Sequence, residues 1–499
     1  MAEKGETFSE RLRSGYDPLY VETVHAKKFH EHSKYTFDYL LDTHQAWITM
    51  LAEERIVPRA SAAAVCQALN RLRGLGPEAL LPYIPEHQDV YFHMEKWLVK
   101  QVGSEHSGYL ALGRTRPEPL TRMVLREKLI GAIEASLTLR QKLLDTSEVN
   151  IHTVMTGYTH SQPAQATTFG HYLMAVHDPI AEDTRHLEDA YWNVNRNTLG
   201  CGAMVGTSFP INRQRIADLL GFDGLIENAH ACVASNDFLV VCGTAVVDTM
   251  VTISRSAQDI NEWCSHEVGM TLSAPQFSDF SSMMPQKYNP AIFERLRFYS
   301  SMTVAQAQAL PIGLIKSHYA DATDISHSMG PAISVLEEAT KWMRLYGEVV
   351  RTVTLNKERM LHMAQRNFCT ISKLTDDVYR RTGLPYRTVH GIVANVVNQA
   401  LEAGLDATGI TAEMVNNAGV KYAGKPVGMT QEEVRHSLDP IAFVESHNVV
   451  GGPAPKEVSR MIAAGRQSLA AARERLAQRR ARLEEGKRRL EQAVADISR

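Results

Sequence analysis

Along most of this chain apolar residues recur every third or fourth position, the spacing of one face of an α-helix. From Tyr35 to about Leu75 they fall at Phe37, Leu40, Leu41, Trp47, Ile48 and Leu51 among many alanines, which predicts amphipathic helices. Asp89 and Tyr91 stand just ahead of another such run through Met94, Trp97 and Leu98. Four longer stretches, Leu120 to Val154, Thr168 to Asn197, Phe238 to Val268 and Pro290 to Tyr346, keep the period with few breakers. A bundle is the economical way to bury faces of that length, and helices this long bury more by associating between subunits. After about Asn367 the runs shorten, separated by turns at Thr382-Gly383, Gly404, Gly419, Gly424-Lys425-Pro426 and Gly451-Gly452-Pro453. From Leu469 an apolar residue returns every seventh position (Leu476, Leu483, Leu490, then Ile497) between arginines and glutamates. One apolar position per heptad, with Gly486 in the run, is thin for a free coiled coil and predicts a solvated helix lying on its own protein. The expected architecture is all-α with three domains: an N-terminal α domain over 1–113, a central long-helix bundle over 114–368, and a small C-terminal α domain over 369–499 that ends in the amphipathic helix.

Composition limits what such a fold serves. At 499 residues the chain exceeds what one hydrophobic core organises. A net charge of -3 lacks the basic excess that a nucleic-acid partner demands. The six cysteines (Cys66, Cys201, Cys232, Cys242, Cys264, Cys369) are scattered without a C-x-x-C pair, which fits thiols of a reducing compartment better than bridges or zinc ligands. The opening residues are polar and lack the apolar stretch of a signal peptide, and no run of roughly eighteen apolar residues is uninterrupted. These features lead us to expect a cytoplasmic enzyme or binding protein, with neither nucleic acid nor membrane as partner.

The residue types that chemistry needs are concentrated in the polar stretches between helices. Between Phe277 and Glu294, Ser281, Ser282, Met284, Lys287 and Asn289 are crowded together, with Pro285 and Pro290 restricting the backbone before them. Pro290 suits the first position of a helix through Ile292, Phe293, Leu296 and Phe298, so Asn289 and the loop amides sit at a positive helix end, a seat for an anion. Composition alone equally allows a surface turn. Gly113, Arg114, Thr115 and Arg116 form either a carboxylate clamp or a solvated basic loop. Thr159 and His160 lie in a turn between Gly157 and Pro163, beside Gln162 and Gln165, where a residue type that exchanges protons near neutral pH is well placed. The glycines of Asn197 to Ile211 (Gly200, Gly202, Gly206) lack the spacing and the preceding strand of a dinucleotide fingerprint.

The run from Ser281 to Pro290 resembles the signature loop of the fumarase, aspartase and argininosuccinate lyase superfamily, two serines followed by x-Met-Pro-x-Lys-x-Asn-Pro. Phe280 replaces the glycine that usually precedes it. Thr159 to Gln165 is similar to a second conserved region, Thr-His-x-Gln-x-Ala-Gln. Gly113 to Arg116 resembles the Gly-Arg-Ser-Arg-Asn-Asp segment of argininosuccinate lyases, with Pro117 and Glu118 in place of the asparagine and aspartate, so an amide donor for a substrate carboxylate is missing. The glycine stretch is similar to a substrate-facing loop of the family. Ala234 to Phe238 resembles Ser-x-Arg-Asp-Phe, with Ala234 and Asn236 at the serine and arginine positions.

The resemblance implies a homotetramer of three-domain helical subunits in which each active site collects loops from three subunits, with no cofactor and no metal. It implies a carbon–nitrogen lyase that removes an amine from an N-substituted aspartate to release fumarate, by anti elimination through an enediolate. Ser281 is then the base, with Ser282 and Met284 beside it; a serine hydroxyl is too weak a base in water, so nearby cations and amides must lower its pKa. Lys287 and Asn289 hold the carboxylate that takes up charge. His160, oriented by Glu294, acts from the opposite side, and Thr159 binds a second carboxylate. Arg114, Thr115, Arg116 and Gln165 complete the substrate contacts.

The arginine loop and the Met-Pro-Gln-Lys core point to the argininosuccinate lyase branch, although the Gln-Pro-Ala-Gln-x-Thr-Thr run is closer to adenylosuccinate lyases. Beyond Gly313-Leu314, where family members read the arginine part of argininosuccinate, His318, Thr323 and Ser326 replace a tyrosine, a glutamine and a lysine, and Ala320 a second lysine. Losing such polar readers argues against argininosuccinate. The expected substrate is ethylenediamine-disuccinate or a related aminodicarboxylate, as for the ethylenediamine-disuccinate lyases of this branch, with His318, Tyr319 and Asp324 as candidates to receive a second carboxylate or amine. The alternatives are argininosuccinate or adenylosuccinate lyase proper, an inactive crystallin-like structural homologue, or a regulatory binder of small dicarboxylates.

Overall fold

The apolar faces read along the sequence converge in the computed structural model, which describes residues 15–116, 119–320 and 322–499. Pro117 and Glu118 lie outside the described residues. The N-terminal elements are α1 (Lys27–Glu53), α2 (Arg59–Leu75) and α3 (Val90–Val102). α1 buries Phe37, Leu40, Leu41, Trp47, Ile48 and Leu51, the face its spacing marked. Then come α4 (Leu120–Glu148), the hairpin β1 (Val154–Thr159) and β2 (Gln162–Thr168), α5 (Phe169–Val194), α6 (Asp237–Thr244) and α7 (Val247–Trp263). A two-residue ladder, β3 (Asp279–Phe280) with β4 (Tyr288–Asn289), precedes α8 (Ala291–Leu314) and α9 (Ala322–Thr352). The chain ends in α10 (Ile371–Thr382), α11 (Tyr386–Glu402), α12 (Ala412–Ala423), α13 (Gln431–Leu438) and the long α14 (Pro455–Ile497).

Helices α4, α5, α7, α8 and α9 form the bundle, whose core includes Leu129, Ile133, Leu173, Ile180, Ile253, Ile260, Leu296, Leu336 and Tyr346. By length and composition Asp237–Trp263 is apolar enough to cross a membrane, but half of its most apolar window is buried in this core, as in a core helix. The protein is all-α in class, helices with a few short strands.

Three predicted helical stretches are shorter than their periodicity suggested, the one from Phe238 to Val268 dividing into α6 and α7 and ending at Trp263. The run from Pro290 to Tyr346 is two helices, because Ile315 is extended and Lys316 and Ala320 adopt left-handed backbone at φ 72° and 88°, which no α-helix accommodates. The stretch from Leu120 stops at Glu148 and gives way to the hairpin, where β-branched Val154, Thr156, Thr167 and Thr168 suit extended backbone. His160 and Ser161 form its tip at φ 55° and 57°, the left-handed pair that a two-residue turn needs to match the twist of its strands.

A second core joins α1–α3 to Leu199, Ile216, Leu219 and Phe222 and to Leu490, Val494 and Ile497 of α14, so it draws on residues far beyond position 113. A third, with Leu374, Val378, Val389, Val396, Val415 and Val434, belongs to α10–α13. α14 leaves this small unit and runs back along the molecule: Leu469 and Leu476 enter the bundle core, Leu483 packs against it, and Leu490 and Ile497 enter the N-terminal core. The heptad stripe thus faces its own protein, as expected. Gly486 has a positive role there, since a Cβ on it would lie 2.6 Å from the Cα of Gly221. Its missing side chain lets α14 cross that loop at close range.

Candidate active site

The serine loop is built as a closed hairpin loop. Asp279 pairs with Asn289 and Phe280 with Tyr288, and residues 281–287 form the loop between them. The Tyr288 hydroxyl donates to the Ser273 carbonyl at 2.8 Å, and Arg295 pairs with Asp279 at 2.7 Å, so both strands are anchored to their surroundings. Inside the loop the Ser281 Oγ accepts from the backbone N–H of Met284 at 3.0 Å and of Met283 at 3.3 Å. Donors of this kind favour the anionic form of the oxygen they bind. Pro290 is the cap of α8 rather than its first residue, and it places the loop and Asn289 at the helix's positive end. Ser282, Met284 and Lys287 are exposed in the loop, and Glu294 is exposed in the first turn of α8.

His160 and Thr159 are exposed at the tip of the β1–β2 hairpin, where Thr159 pairs with Gln162. Gln165 Nε2 donates to Ser372 Oγ at 3.0 Å and ties the hairpin to α10.

The arginine loop opens onto a cavity of about 470 Å³ between the N-terminal helices and the bundle. Thr115, Arg116, Asp89 and Tyr91 line one side. Asp89 caps α3 by accepting from Phe92 N–H at 3.1 Å, and its other oxygen holds Arg116 Nη1 at 2.9 Å. Gln88 Oε1 accepts from the same nitrogen at 3.1 Å, and the guanidinium lies 4.6 Å from the Phe92 ring centre. Arg116 is therefore held in place before any substrate arrives. Arg114 faces the other way: its Nη1 lies 3.1 Å from His44 Nδ1, and its guanidinium is 5.7 Å from the Trp47 and Tyr91 rings. Arg114 thus supports the loop from the core side and is not part of the cavity wall. Burial, with Arg114 second, pushes His44 well below the ordinary histidine value.

The lining also takes in Lys28, His32 and Thr36 from α1, with Ala320, Thr323 and Ser326 around the start of α9. Ala320, Thr323 and Ser326 are the positions at which the sequence lacks the family's polar readers. His318, Tyr319 and Asp324 are not part of the lining, and Tyr319 is 77% exposed, 5.8 Å from the His230 ring. Sequence reasoning missed Lys28 and His32. The signal was present: Lys28, His32 and Thr36 follow one another at four-residue spacing along a helix that continues into the apolar Leu40. Burial, with Lys28 second, pushes His32 down to about 4, so it is neutral at physiological pH. Burial also lowers Lys28, against the pull of Asp89. Arg122, 4.0 Å from the Phe238 ring centre and donating to the Asn193 carbonyl at 2.9 Å, also lines the cavity.

Cys232 also reaches this cavity. A hydrogen bond from Cys201 and then the charge of Arg213, whose Nη2 donates to its Sγ at 3.3 Å, outweigh burial and bring the thiol down to about 6. A depressed thiol is a thiolate above that value and is lost as a nucleophile as pH falls through it. Alkylation of Cys232 by iodoacetamide is expected to hold its rate from pH 8 to near 6 and drop below, as peptide mapping across that range would show. An ordinary cysteine would instead slow about tenfold per unit below its pKa near 8.5.

Arg116, His160 and Ser281 are not brought together within one chain: neither His160 nor Ser281 belongs to the lining of the arginine-loop cavity. Away from all three, Asp183, His186 and Asp248 place ligand-type atoms within 4.8 Å of one another, and Thr249 donates to Asp183.

Comparison with known proteins bears on this layout of helices and loops. A lyase family model matches residues 38–304, and a model of the argininosuccinate lyase C-terminal region matches 368–445. Argininosuccinate lyase 1 of Shouchella clausii is 32% identical over 464 residues, covering 92% of this chain and 93% of its own. The chain belongs to the argininosuccinate lyase branch of the fumarase/aspartase superfamily. Argininosuccinate lyase of Methanocaldococcus jannaschii is likewise 32% identical, over 85% of this chain and 87% of its own. Among solved structures, EDDS lyase in complex with formate superposes with a TM-score of 0.84 at 30% identity, covering 98% of this chain and 97% of that one. A variant of EDDS lyase with bound fumarate gives the same values. A class II fumarase from Schistosoma mansoni, at 13% identity and a TM-score of 0.69, shares the fold. This member of the branch is an enzyme, a carbon–nitrogen lyase of the fumarate-releasing class.

Proposed function

We propose that this chain removes an amine from an N-substituted aspartate by anti elimination, reversibly releasing fumarate through an enediolate (aci-carboxylate) intermediate. The observation that carries this reading is the Ser281 oxygen, held by two loop amides at the positive end of α8. The base takes the proton from the carbon next to a carboxylate, and the electrons move into that carboxylate, where Lys287 and Asn289 stabilise the developing charge. The carbon–nitrogen bond then breaks on the opposite face, and the amine leaves with a proton. His160, oriented by Glu294, serves that face; Thr159 binds the second carboxylate, and Thr115, Arg116 and Gln165 complete the substrate contacts.

The distance between these loops along one chain supports a homotetramer in which three subunits contribute to each site. Phe280 and Met283 of the serine loop are 90% and 88% exposed, and Phe298, Met302 and Ile312 of α8 are exposed nearby in sequence. Apolar surface of this kind is what subunit association covers.

For the amine, ethylenediamine-disuccinate or another aminodicarboxylate is favoured by a cavity wall of Ala320, Thr323 and Ser326, which lacks the groups that would read an arginine. Argininosuccinate is the second reading, favoured by curated relatives of that name at 32% identity. The deciding experiment incubates purified enzyme with fumarate and, in turn, ethylenediamine, aspartate, arginine and AMP, following loss of fumarate absorbance. Consumption with the diamine or aspartate and none with arginine supports the first reading; consumption confined to arginine establishes the second. No turnover with any amine removes both.

A further inference from the structure

We propose that Cys232 and Cys201 form a peroxide-responsive thiol pair: Cys232 attacks the peroxide, Cys201 resolves the product, and the resulting disulfide restrains segments that line the cavity. The inference goes beyond the lyase reading and does not depend on it. Cys232 lies on the short helix Ala229–Ala234 and reaches the cavity, whereas Cys201 is buried in the glycine loop. Both are free thiols, and a hydrogen bond from Cys201 joins the two sulfurs. The backbone brings them together. Asn197 N–H donates to the Gly224 carbonyl at 2.8 Å, and Ile226 N–H donates to the Asn197 carbonyl at 3.0 Å. Arg213 clamps the same segments, donating to the Leu199 carbonyl at 3.2 Å, to that of Glu227 at 3.1 Å and to that of Ile226 at 2.8 Å.

This setting gives the two sulfurs different parts. The Cys201 hydrogen bond, then Arg213, whose Nη2 donates to Cys232 Sγ at 3.3 Å, and then Arg122 favour the charged form of Cys232 against burial. As a thiol, Cys232 donates to the Ile226 carbonyl at 3.2 Å; when it ionises, Arg213 keeps that carbonyl satisfied. Burial instead pushes up the thiols of Cys66, Cys242, Cys264 and Cys369. Peroxide entering the cavity therefore meets its thiolate at Cys232. The thiolate attacks one peroxide oxygen, the O–O bond breaks, and hydroxide leaves and is protonated to water, with a sulfenic acid left on Cys232. The Cys201 sulfur then attacks the Cys232 sulfur as its own proton is lost; the S–O bond breaks and a second water leaves. One peroxide is reduced and both thiols are oxidised. The sulfurs close from hydrogen-bond contact to about 2 Å. Thr198 and Ala203 flank Cys201, Val233 follows Cys232, and all three line the cavity, so the bridge restrains both segments there. In a reducing compartment such a bridge is transient, reopened by exchange with other thiols.

The test treats the reduced full-length protein with hydrogen peroxide at neutral pH, blocks remaining thiols with iodoacetamide and maps peptides without reduction. A peptide linking residues 201 and 232 is expected to form roughly tenfold or more faster than Cys66, Cys242, Cys264 or Cys369 oxidises. Dithiothreitol should reopen it. The bridged protein is expected to release fumarate roughly fivefold or more slowly than the same sample after dithiothreitol. In Cys201→Ser, Cys232 is expected to accumulate as a sulfenic acid that dimedone traps, and in Cys232→Ser, Cys201 to stay reduced. Oxidation spread evenly over the six cysteines, a Cys232 sulfenic acid that persists without a bridge while Cys201 is present, or oxidation of Cys201 in Cys232→Ser overturns the pairing. A bridge that leaves fumarate release unchanged overturns its hold on the cavity. Because the peptide map needs no turnover, absence of fumarate release before peroxide counts against the lyase reading, and the map decides the pairing by itself.

Discussion

Ser281→Ala is expected to slow fumarate release by a factor of roughly 10² to 10⁴, the range associated with a positioned acid–base group, without unfolding the protein. The hydroxyl's hydrogen bonds are to the Met283 and Met284 amides. The loop keeps its closure through the Phe280–Tyr288 and Asp279–Asn289 pairs and the Tyr288 and Arg295 anchors, none of which uses the serine side chain. Since Ser281 is at the loop surface, its truncation leaves no cavity, and the melting temperature should hold. Substrate affinity is expected to survive, because Arg116 is fixed by Asp89 and Gln88 and Lys287 is retained. Steady-state kinetics with the best substrate, alongside circular dichroism, checks both halves. A loss below about tenfold in an intact fold would take the base role away from Ser281 and direct it to Ser282, the adjacent exposed hydroxyl.

Arg126→Ala is expected to act on stability instead. This buried arginine of α4 donates from Nη1 to the Leu220 carbonyl at 2.8 Å and to Asn195 Oδ1 at 3.2 Å, and packs 4.8 Å from the Phe222 ring centre. Truncation strands two buried acceptors and opens a void beneath Phe222, costs that together come to about 2–6 kcal/mol. Because Arg126 pins residues 195–222 to the bundle, and that segment carries Thr198 and Ala203 of the cavity lining, activity should fall together with stability. Thermal unfolding followed by fluorescence, with the fumarate assay run well below the transition, measures both effects. A destabilisation under about 1 kcal/mol would mean that water reaches the abandoned acceptors and that the segment is held by its apolar contacts.

What the sequence determined by itself is local in physical origin. Helical faces such as Leu40, Leu41, Trp47 and Ile48 are legible because burial repeats with the helix's own period. The leucines from Leu469 onward announced a helix lying on the protein because a single stripe can face one surface and no more. The signature loop, the Thr159–Gln165 run and the family to which they belong were legible because the order of residue types is itself the signal.

Tertiary structure alone decided which of those residues meet. Arg114 and Arg116 are two positions apart and equivalent as letters, yet one is turned toward His44 and the other into the cavity, because only the neighbouring Asp89 and Gln88 can hold a guanidinium there. The break after Leu314 was hidden because apolar periodicity continues through it, while left-handed backbone at Lys316 and Ala320 interrupts the helix. Lys28 and His32 read as the polar side of α1 until the start of α9 folds against them and makes that side a cavity wall. A charge belongs to a residue, but what it faces is set by elements hundreds of positions away. For that reason the reaction class could be read from the chain, and the cavity wall that α1 and the start of α9 build together could not.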